Sequence, residues 1–236
     1  MTIAGIVFDK DGTLLDFHAT WVPVNRTLAL AVARGDRHLA RRLLLECGQD
    51  DDRGTVAAGS LLAAGNSREI AAAWSRIAPH HGQPDLVVTI DRIFRTEAAK
   101  SVAPVTGLTE TIRALKGRGL SLGIATSDSE AGARATLAPF DVLQNFDFIA
   151  GYDSGYGVKP GPGMIDGFCR ARNLPASAVL VVGDNRHDLQ MGRAASAGLV
   201  VGVLSGTGAR SDLQPLADVL IGDIRELEGL PGLRAG

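Results

Sequence analysis

The sequence predicts an α/β protein in which a parallel sheet forms the core and an all-helical module is inserted after the first strand. Six short runs rich in Ile and Val, each bounded by Gly, Asp or Ser, have the pattern of buried parallel strands. Helical patterns alternate with the later runs, which is typical of a parallel sheet with right-handed crossovers. Between about residues 17 and 100 the chain has helical patterns and no convincing strand.

The elements follow from these patterns in chain order. The predicted strands cover residues 3–8, 120–125, 146–150, 179–182, 199–204 and 219–221. The predicted core helices cover residues 108–116, 129–137, 163–173 and 186–197, and those of the insertion cover 20–34, 36–46, 66–78 and 84–100. Asn66, with Glu69 three residues later, resembles a capping box at a helix start. An insertion of more than eighty residues is too long for a crossover loop, which predicts a separate module over one edge of the sheet.

Composition excludes several classes of protein. The 236 residues carry 24 Lys and Arg against 26 Asp and Glu, and no basic block, which argues against nucleic acid as a partner. No apolar run approaches the ~18 residues of a membrane helix, and the chain begins without a basic signal region, so we expect a cytoplasmic protein with no membrane partner. Two cysteines are too few for a zinc site or a disulfide framework, and adjacent His80 and His81 would point apart on a helix. No feature of the sequence predicts an oligomeric state.

Two carboxylates directly follow the first predicted strand, Asp9 and Asp11 in the run Asp-Lys-Asp-Gly-Thr. Ligands of an open α/β sheet collect beyond the carboxyl ends of its strands, which makes both residues candidates for chemistry. Asp9 could act as a nucleophile or metal ligand and Asp11 as an acid or base, while Gly12 lets the backbone turn sharply. Taken alone, the run is equally typical of a solvated turn.

A second carboxylate pair follows the strand predicted at 179–182. Asp184 comes at the strand end after a glycine, and Asp188 lies four residues later in the first turn of a helix. Both can point into one crevice, where with Asp9 and the backbone near Asp11 they would form an oxygen-rich cage for a hard divalent ion such as Mg²⁺. Asp188 alone would also suit the positive end of the helix dipole.

Two further strand ends supply hydrogen-bond donors. Thr126 and Ser127 end the strand at 120–125 with hydroxyl groups and free backbone N–H groups at a helix start, which is typical of a phosphate cradle. Lys159 lies in a loop stiffened by Gly and Pro. A surface position is usual for lysine, but the chain has only four, which favours a charge-neutralising role for this one.

Together these segments resemble the four motifs of the haloacid dehalogenase superfamily, in the family's order and strand context. The matching positions are Asp9 to Thr13, Thr126, Lys159, and Gly183 with Asp184 and Asp188. The resemblance implies a Rossmann-like catalytic core, here residues 1–16 and 101–236, and an α-helical cap, here residues 17–100. It further implies a phosphoglycolate phosphatase-like hydrolase that uses Mg²⁺ and acts on a small phosphorylated metabolite.

The resemblance also implies roles for individual residues. Asp9 would attack phosphorus and form an aspartyl-phosphate, and Asp11 would protonate the leaving alcohol and then deprotonate the attacking water. Thr126 and Lys159 would hold the phosphoryl oxygens. The phosphate-binding set is Gly12, Thr126, Ser127 and Lys159, and the metal set is Asp9, Asp11 through its carbonyl, Asp184 and Asp188, the last as a ligand or an orienting group.

Other activities of the superfamily remain as alternatives. A β-phosphoglucomutase-like enzyme shares all four motifs, and His18 is a candidate for its cap histidine, although an ordinary helix-start histidine explains it as well. Asp11 argues against the dehalogenase branch, and the absence of lysine between Lys10 and Lys100 argues against Schiff-base chemistry in the cap. A non-catalytic binding protein that keeps only the fold is the third possibility.

The cap residues give weaker predictions. Hinges are expected near residues 15–16 and 100–104, where the chain passes between core and cap. Arg42 and Arg53 could contact an anionic substrate, but a solvated helix face explains them equally well. Trp21 and Trp74 are interpreted as core anchors between cap helices and not as binding platforms.

Overall fold

A computed structural model describes residues 2–78 and 83–233, so the predicted surface pair His80 and His81 lies outside the described residues. The strands are β1 (Gly5–Phe8), β2 (Gln49–Asp50), β3 (Thr55–Val56), β4 (Ser121–Ala125), β5 (Phe148–Ala150), β6 (Val179–Gly183), β7 (Leu199–Val203) and β8 (Val219–Ile221). The α-helices are α1 (Phe17–Val32), α2 (Arg37–Glu46), α3 (Leu61–Ala64), α4 (Ser67–Ile77), α5 (Gln83–Ser101), α6 (Leu108–Gly117), α7 (Glu130–Leu137), α8 (Gly163–Arg172), α9 (Arg186–Ala194) and α10 (Arg210–Leu213). Short 3₁₀ helices cover Ala138–Phe140, Leu143–Asn145, Ala176–Ala178 and Ile224–Gly229.

The core is one parallel sheet with strand order β5-β4-β1-β6-β7-β8. The six predicted strands are all present, and the α/β fold class is confirmed. β1 lies at the centre, where Phe8 pairs with Ile124 of β4 and with Val182 of β6. Because the three strands end in register, the residues that follow them meet at one edge of the sheet.

Residues 17–100, which we call the helical module, have a hydrophobic core of their own. Buried side chains from α1, α2, α4 and α5 form one cluster, while the sheet and its helices supply separate ones. Helix starts follow local capping: Asp36 caps α2, and Asn66 with Glu69 forms the predicted capping box on α4.

The helical module also contains a short hairpin, which the sequence analysis did not anticipate. β2 and β3 pair antiparallel over two residues each, around a turn in which Gly54 has a φ of +64°. Strands this short carry no apolar alternation, so the expectation of a module without strands was wrong at this point. Among the described helices, none combines the length and apolar character needed to span a membrane.

Two chain segments join the helical module to the sheet, and they lie side by side. The backbone N–H of Asp16 donates to the Ala103 carbonyl over 2.8 Å, and Leu15 bridges to Pro104. The Ala103 N–H donates in turn to the Thr20 hydroxyl over 3.1 Å. These are the regions where hinges are predicted.

Candidate active site

A cavity of about 600 Å³, partly open to solvent, lies between the carboxyl edge of the sheet and the helical module. The structure brings together at this cavity the residues whose side chains were predicted to form the site. They are Asp9, Asp11, Thr126, Ser127, Lys159, Asp184 and Asp188. The opposite wall comes from α1, α3, α4 and α5. The cavity therefore has one wall from each unit.

Asp9 lies beside a buried lysine and two further carboxylates. Lys159 Nζ donates to Asp9 Oδ1 over 2.5 Å and to Asp188 Oδ1 over 2.6 Å. Burial raises the pKa of Asp9 to about 7, with a further increase from the Asp188 charge and an opposing effect of Lys159. Burial alone would lower the pKa of Lys159, but the charges of Asp188 and Asp9 raise it above its usual range, so this side chain is a permanent cation.

The carboxylates of Asp9, Asp184 and Asp188 form the candidate metal centre, with one oxygen from each within 4.8 Å of the others. All three are buried, and among the described residues Lys159 is the one cation that pairs with them, through Asp9 and Asp188. Burial next to Asp9 and Asp188 raises the pKa of Asp184 well above its ordinary value. A buried set of three carboxylates with surplus negative charge fits a hard divalent cation such as Mg²⁺. The side chain of Asp11 lies outside this set, and its predicted part through the carbonyl stays a prediction.

Local backbone geometry explains how the metal-centre carboxylates are held. Gly12 has a φ of +90°, and a Cβ there would lie 2.6 Å from the Asp184 carboxylate, so a side chain would collide with it. Thr207 donates to Asp184 Oδ2 from its backbone N–H over 2.7 Å and from its hydroxyl over 3.1 Å. Asp188 accepts from the Asn185 N–H over 2.9 Å as part of a capping box on α9. The capping box on α9 thus fixes the orientation of Asp188, which is also one of the three carboxylates of the candidate metal centre.

Asp11 is held by one residue of the core and one of the helical module. Lys10 Nζ lies 2.7 Å from both Asp11 oxygens, and Trp21 Nε1 donates to Asp11 Oδ1 over 2.7 Å. The ammonium of Lys10 also faces the Trp21 ring at 5.2 Å from its centroid. Trp21 belongs to the buried core of the helical module, as predicted, and also lines the cavity. Trp74 is fully buried in the same core and donates to the Leu43 carbonyl.

Lys10 is completely buried and carries a second carboxylate partner, Asp128, whose Oδ2 lies 3.3 Å from Lys10 Nζ. Burial raises the pKa of Asp128 to about 6, with Lys10 opposing that rise. Burial disfavours the Lys10 ammonium, yet the charges of Asp11 and Asp128 raise its pKa. Lys10 is therefore a fixed positive charge between two carboxylates, directly below the floor of the cavity.

The predicted phosphate cradle lies beyond β4. Thr126 is buried, and its hydroxyl oxygen accepts from the Asp128 N–H over 3.1 Å, which leaves the hydroxyl hydrogen to point elsewhere. Ser127 donates its hydroxyl to the Ala64 carbonyl over 3.1 Å, across to the helical module. Of the two hydroxyls expected to face phosphate, that of Ser127 thus joins the two walls of the cavity instead.

Several residues singled out in the sequence lie away from the cavity. His18 is exposed on α1, and Arg53 pairs with Asp50 on the surface. Arg42 is exposed on α2 and is likewise absent from the described lining. The most useful position that was missed is Thr207, which lies in the loop after β7, four residues beyond the strand end, and donates to Asp184.

Comparison with models of protein families identifies the family of this chain. A model of the haloacid dehalogenase-like hydrolase family matches residues 3–196. The chain belongs to this family. The superfamily resemblance drawn from the four motifs is thereby confirmed, and the chain is a hydrolase of the haloacid dehalogenase-like type.

Individual relatives agree with the family. The chain is 28% identical over 231 residues to a phosphoglycolate phosphatase from Pseudomonas syringae pv. tomato, covering 96% of this chain and 78% of that protein. It is 29% identical over 109 residues to the pyrophosphatase PpaX from Halalkalibacterium halodurans, covering 46% of this chain and only 51% of that protein. Among solved structures, CbbY from Rhodobacter sphaeroides in complex with phosphate superimposes with a TM-score of 0.71 at 22% identity, covering 98% and 99% of the two chains. The predicted likeness to phosphoglycolate phosphatases is confirmed, and the structural match supports the same fold.

Proposed function

We propose that this hydrolase is a Mg²⁺-dependent phosphatase that cleaves a small phosphomonoester, such as phosphoglycolate or a related metabolite, through an aspartyl-phosphate on Asp9. The observation that carries the proposal is the position of the Asp9 carboxylate. It lies on the cavity floor, 2.5 Å from the ammonium of Lys159 and within the cluster that could hold a metal. A carboxylate can attack a phosphate dianion only if the repulsion between them is cancelled, and Lys159 together with a divalent cation in the carboxylate cluster would supply that positive charge.

The proposed reaction has two steps with balanced proton transfers. In the first, an Asp9 oxygen bonds to phosphorus while the bond from phosphorus to the alcohol oxygen breaks, and Asp11 gives its proton to the departing alcohol. In the second, water attacks phosphorus, Asp11 takes a proton from that water, and the bond from Asp9 to phosphorus breaks. Lys159 and the Thr126 hydroxyl would hold the phosphoryl oxygens. Bound Mg²⁺, held by Asp9, Asp184 and Asp188, would supply charge stabilisation for the phosphoryl group.

The mutase alternative has no specific support in the geometry. His18, the candidate for a mutase histidine, is exposed and absent from the described lining of the cavity. The non-catalytic alternative is also disfavoured, because a set of buried carboxylates with raised pKa values is costly to maintain without a function.

Phosphate release from p-nitrophenyl phosphate tests the proposal. We expect turnover with Mg²⁺, none with EDTA, and none in Asp9→Asn, while beryllofluoride forms an adduct on Asp9 of the wild type. Asp223→Asn is the matched control, because Asp223 also ends a strand but caps the following 3₁₀ helix away from the described cavity lining. Full activity in EDTA, or in Asp9→Asn, would contradict the proposal.

A further inference from the structure

The wall of the cavity that faces the leaving group is apolar. Phe17, Leu62, Ile70 and Phe94 line it with buried side chains, next to the half-buried Ala63 and Ala64. The other residues that the helical module contributes to the described lining are Trp21, Gly65 and Ser67. The opposite wall carries the carboxylates and Lys159, so the two sides differ sharply in polarity. In the proposed reaction the phosphoryl group lies against the polar wall, which leaves the apolar wall to the rest of the substrate.

Positive charge is concentrated on the phosphoryl side. Lys159 is committed to Asp9 and Asp188, and Lys10 is buried between Asp11 and Asp128. The described lining contributed by the helical module contains no Lys or Arg, and residues 79–82, Pro-His-His-Gly, contain neither in their sequence.

Arg68, in the first turn of α4, and two backbone N–H groups at that end of the helix already have other partners. Arg68 is exposed and stacks on the Tyr152 ring at 5.1 Å. The backbone N–H groups of Arg68 and Glu69 already bind the Asn66 side chain, and the Glu69 carboxylate accepts from the Asn66 N–H. The N–H of Ser67, the first residue of α4, keeps no hydrogen-bond partner among the described residues. The capping box thus occupies two donors of the helix end and places the Glu69 negative charge beside it, which opposes the binding of a carboxylate there.

The geometry points to a phosphomonoester whose alcohol portion is uncharged and largely apolar. This inference rests on the proposed function and narrows its substrate class: a carboxylate next to the ester oxygen, as in phosphoglycolate, would lose its water against Phe17, Ile70 and Phe94 without gaining a cationic partner in the described wall. An uncharged group of the same size avoids that cost, and an apolar one gains from burial. We expect at least a tenfold difference in kcat/KM between such substrates.

The test compares 2-phosphoglycolate with its amide, 2-phosphoglycolamide, at pH 8. The two esters match in size and differ in one charge. We expect the amide to be the better substrate by at least tenfold in kcat/KM, and benzyl phosphate to be better still. Equal rates, or a preference for phosphoglycolate, would overturn the inference while leaving the phosphatase proposal intact. No hydrolysis of any of the three, with no beryllofluoride adduct, would overturn both.

A charge placed in the apolar wall gives an independent check. Ala63→Arg should shift the ratio of kcat/KM values at least tenfold toward phosphoglycolate, because it supplies the missing partner. Ala63→Gln has similar bulk without charge and should leave the wild-type preference in place. Ala57→Arg is the control for an added charge, since Ala57 is exposed and lies outside the described lining, and it should change neither rate. A ratio unchanged by a folded Ala63→Arg variant would contradict the inference.

Discussion

The hydrogen bond from Trp21 to Asp11 gives the sharpest prediction about the reaction. Trp21→Phe keeps an aromatic ring near Phe94, whose centroid lies 4.8 Å from that of Trp21, and removes the indole N–H together with part of the ring. A hydrogen bond to a charged group contributes about 1.5–3 kcal/mol. Asp11 keeps its contact with Lys10 at 2.7 Å, so we take the lower end of that range. A loss of about 1.5 kcal/mol in positioning the acid corresponds to roughly a tenfold slower reaction.

The assay uses two substrates that differ in their need for an acid. Benzyl phosphate has a poor leaving group that requires a proton, whereas nitrophenolate departs from p-nitrophenyl phosphate with little help. Trp21→Phe should lower kcat/KM about tenfold for benzyl phosphate and by less than about threefold for p-nitrophenyl phosphate. The ratio of the two values is the readout, because general loss of structure would lower both together.

Trp74→Phe is the matched control for this prediction. It removes the hydrogen bond from the Trp74 indole to the Leu43 carbonyl, 3.0 Å long, inside the helical module and away from the described cavity lining. We expect lower thermal stability in this variant and an unchanged substrate ratio. Equal losses for both substrates in Trp21→Phe, or no loss for either, would refute the assignment of Trp21 as a residue that positions the acid.

Three further predictions concern stability. Lys10→Met leaves two carboxylates without their buried cation and should lower the free energy of unfolding by about 3–5 kcal/mol, measured by urea denaturation. The pKa of Asp128 is raised to about 6 in the folded protein, so its ionisation lowers the free energy of unfolding as pH rises from about 4 to 6. In Asp128→Asn this part of the pH dependence of unfolding should disappear. A pH profile like that of the wild type would contradict the prediction. Gly12→Ala forces a side chain into a positive φ and against Asp184, and should both destabilise the protein and abolish activity, whereas Gly155→Ala, at a positive φ with open space around it, should cost stability alone.

The polar wall of the site could be predicted because sheet geometry leaves little freedom there. Phe8 pairs with residues of both β4 and β6, so whatever follows these strands must meet at the same edge. Asp9, Thr126 and Asp184 are therefore neighbours by register alone, although they are far apart in the chain. Lys159 was found by a different route, through the scarcity of lysine and the resemblance to the family.

The apolar wall could not be predicted in the same way, because it depends on how the helical module packs over the sheet. Trp21 is ambiguous in sequence: its ring suits a core and its N–H suits a polar partner, and only the packing of α1 directs that N–H to Asp11. The hairpin of β2 and β3 was not predicted for a local reason, because strands of two residues are too short to show an apolar periodicity in the sequence. The missed Thr207 is a different case, because it lies four residues beyond the end of β7, whereas Asp184 follows its strand directly, and its role shows only in its hydrogen bonds to Asp184.

The contacts between the two walls connect substrate binding to acid catalysis in the proposed reaction. Trp21 and Ala64 belong to the helical module, and their partners Asp11 and Ser127 belong to the core, so both hydrogen bonds require the two units to be packed together. The packing that forms the apolar wall is thus the same packing that orients the acid. A leaving group that disturbs the wall would weaken substrate binding and also displace Asp11. One that fits the wall would favour both substrate binding and the correct position of Asp11. Selectivity for the alcohol portion should therefore be expressed in the rate of its departure as well as in affinity.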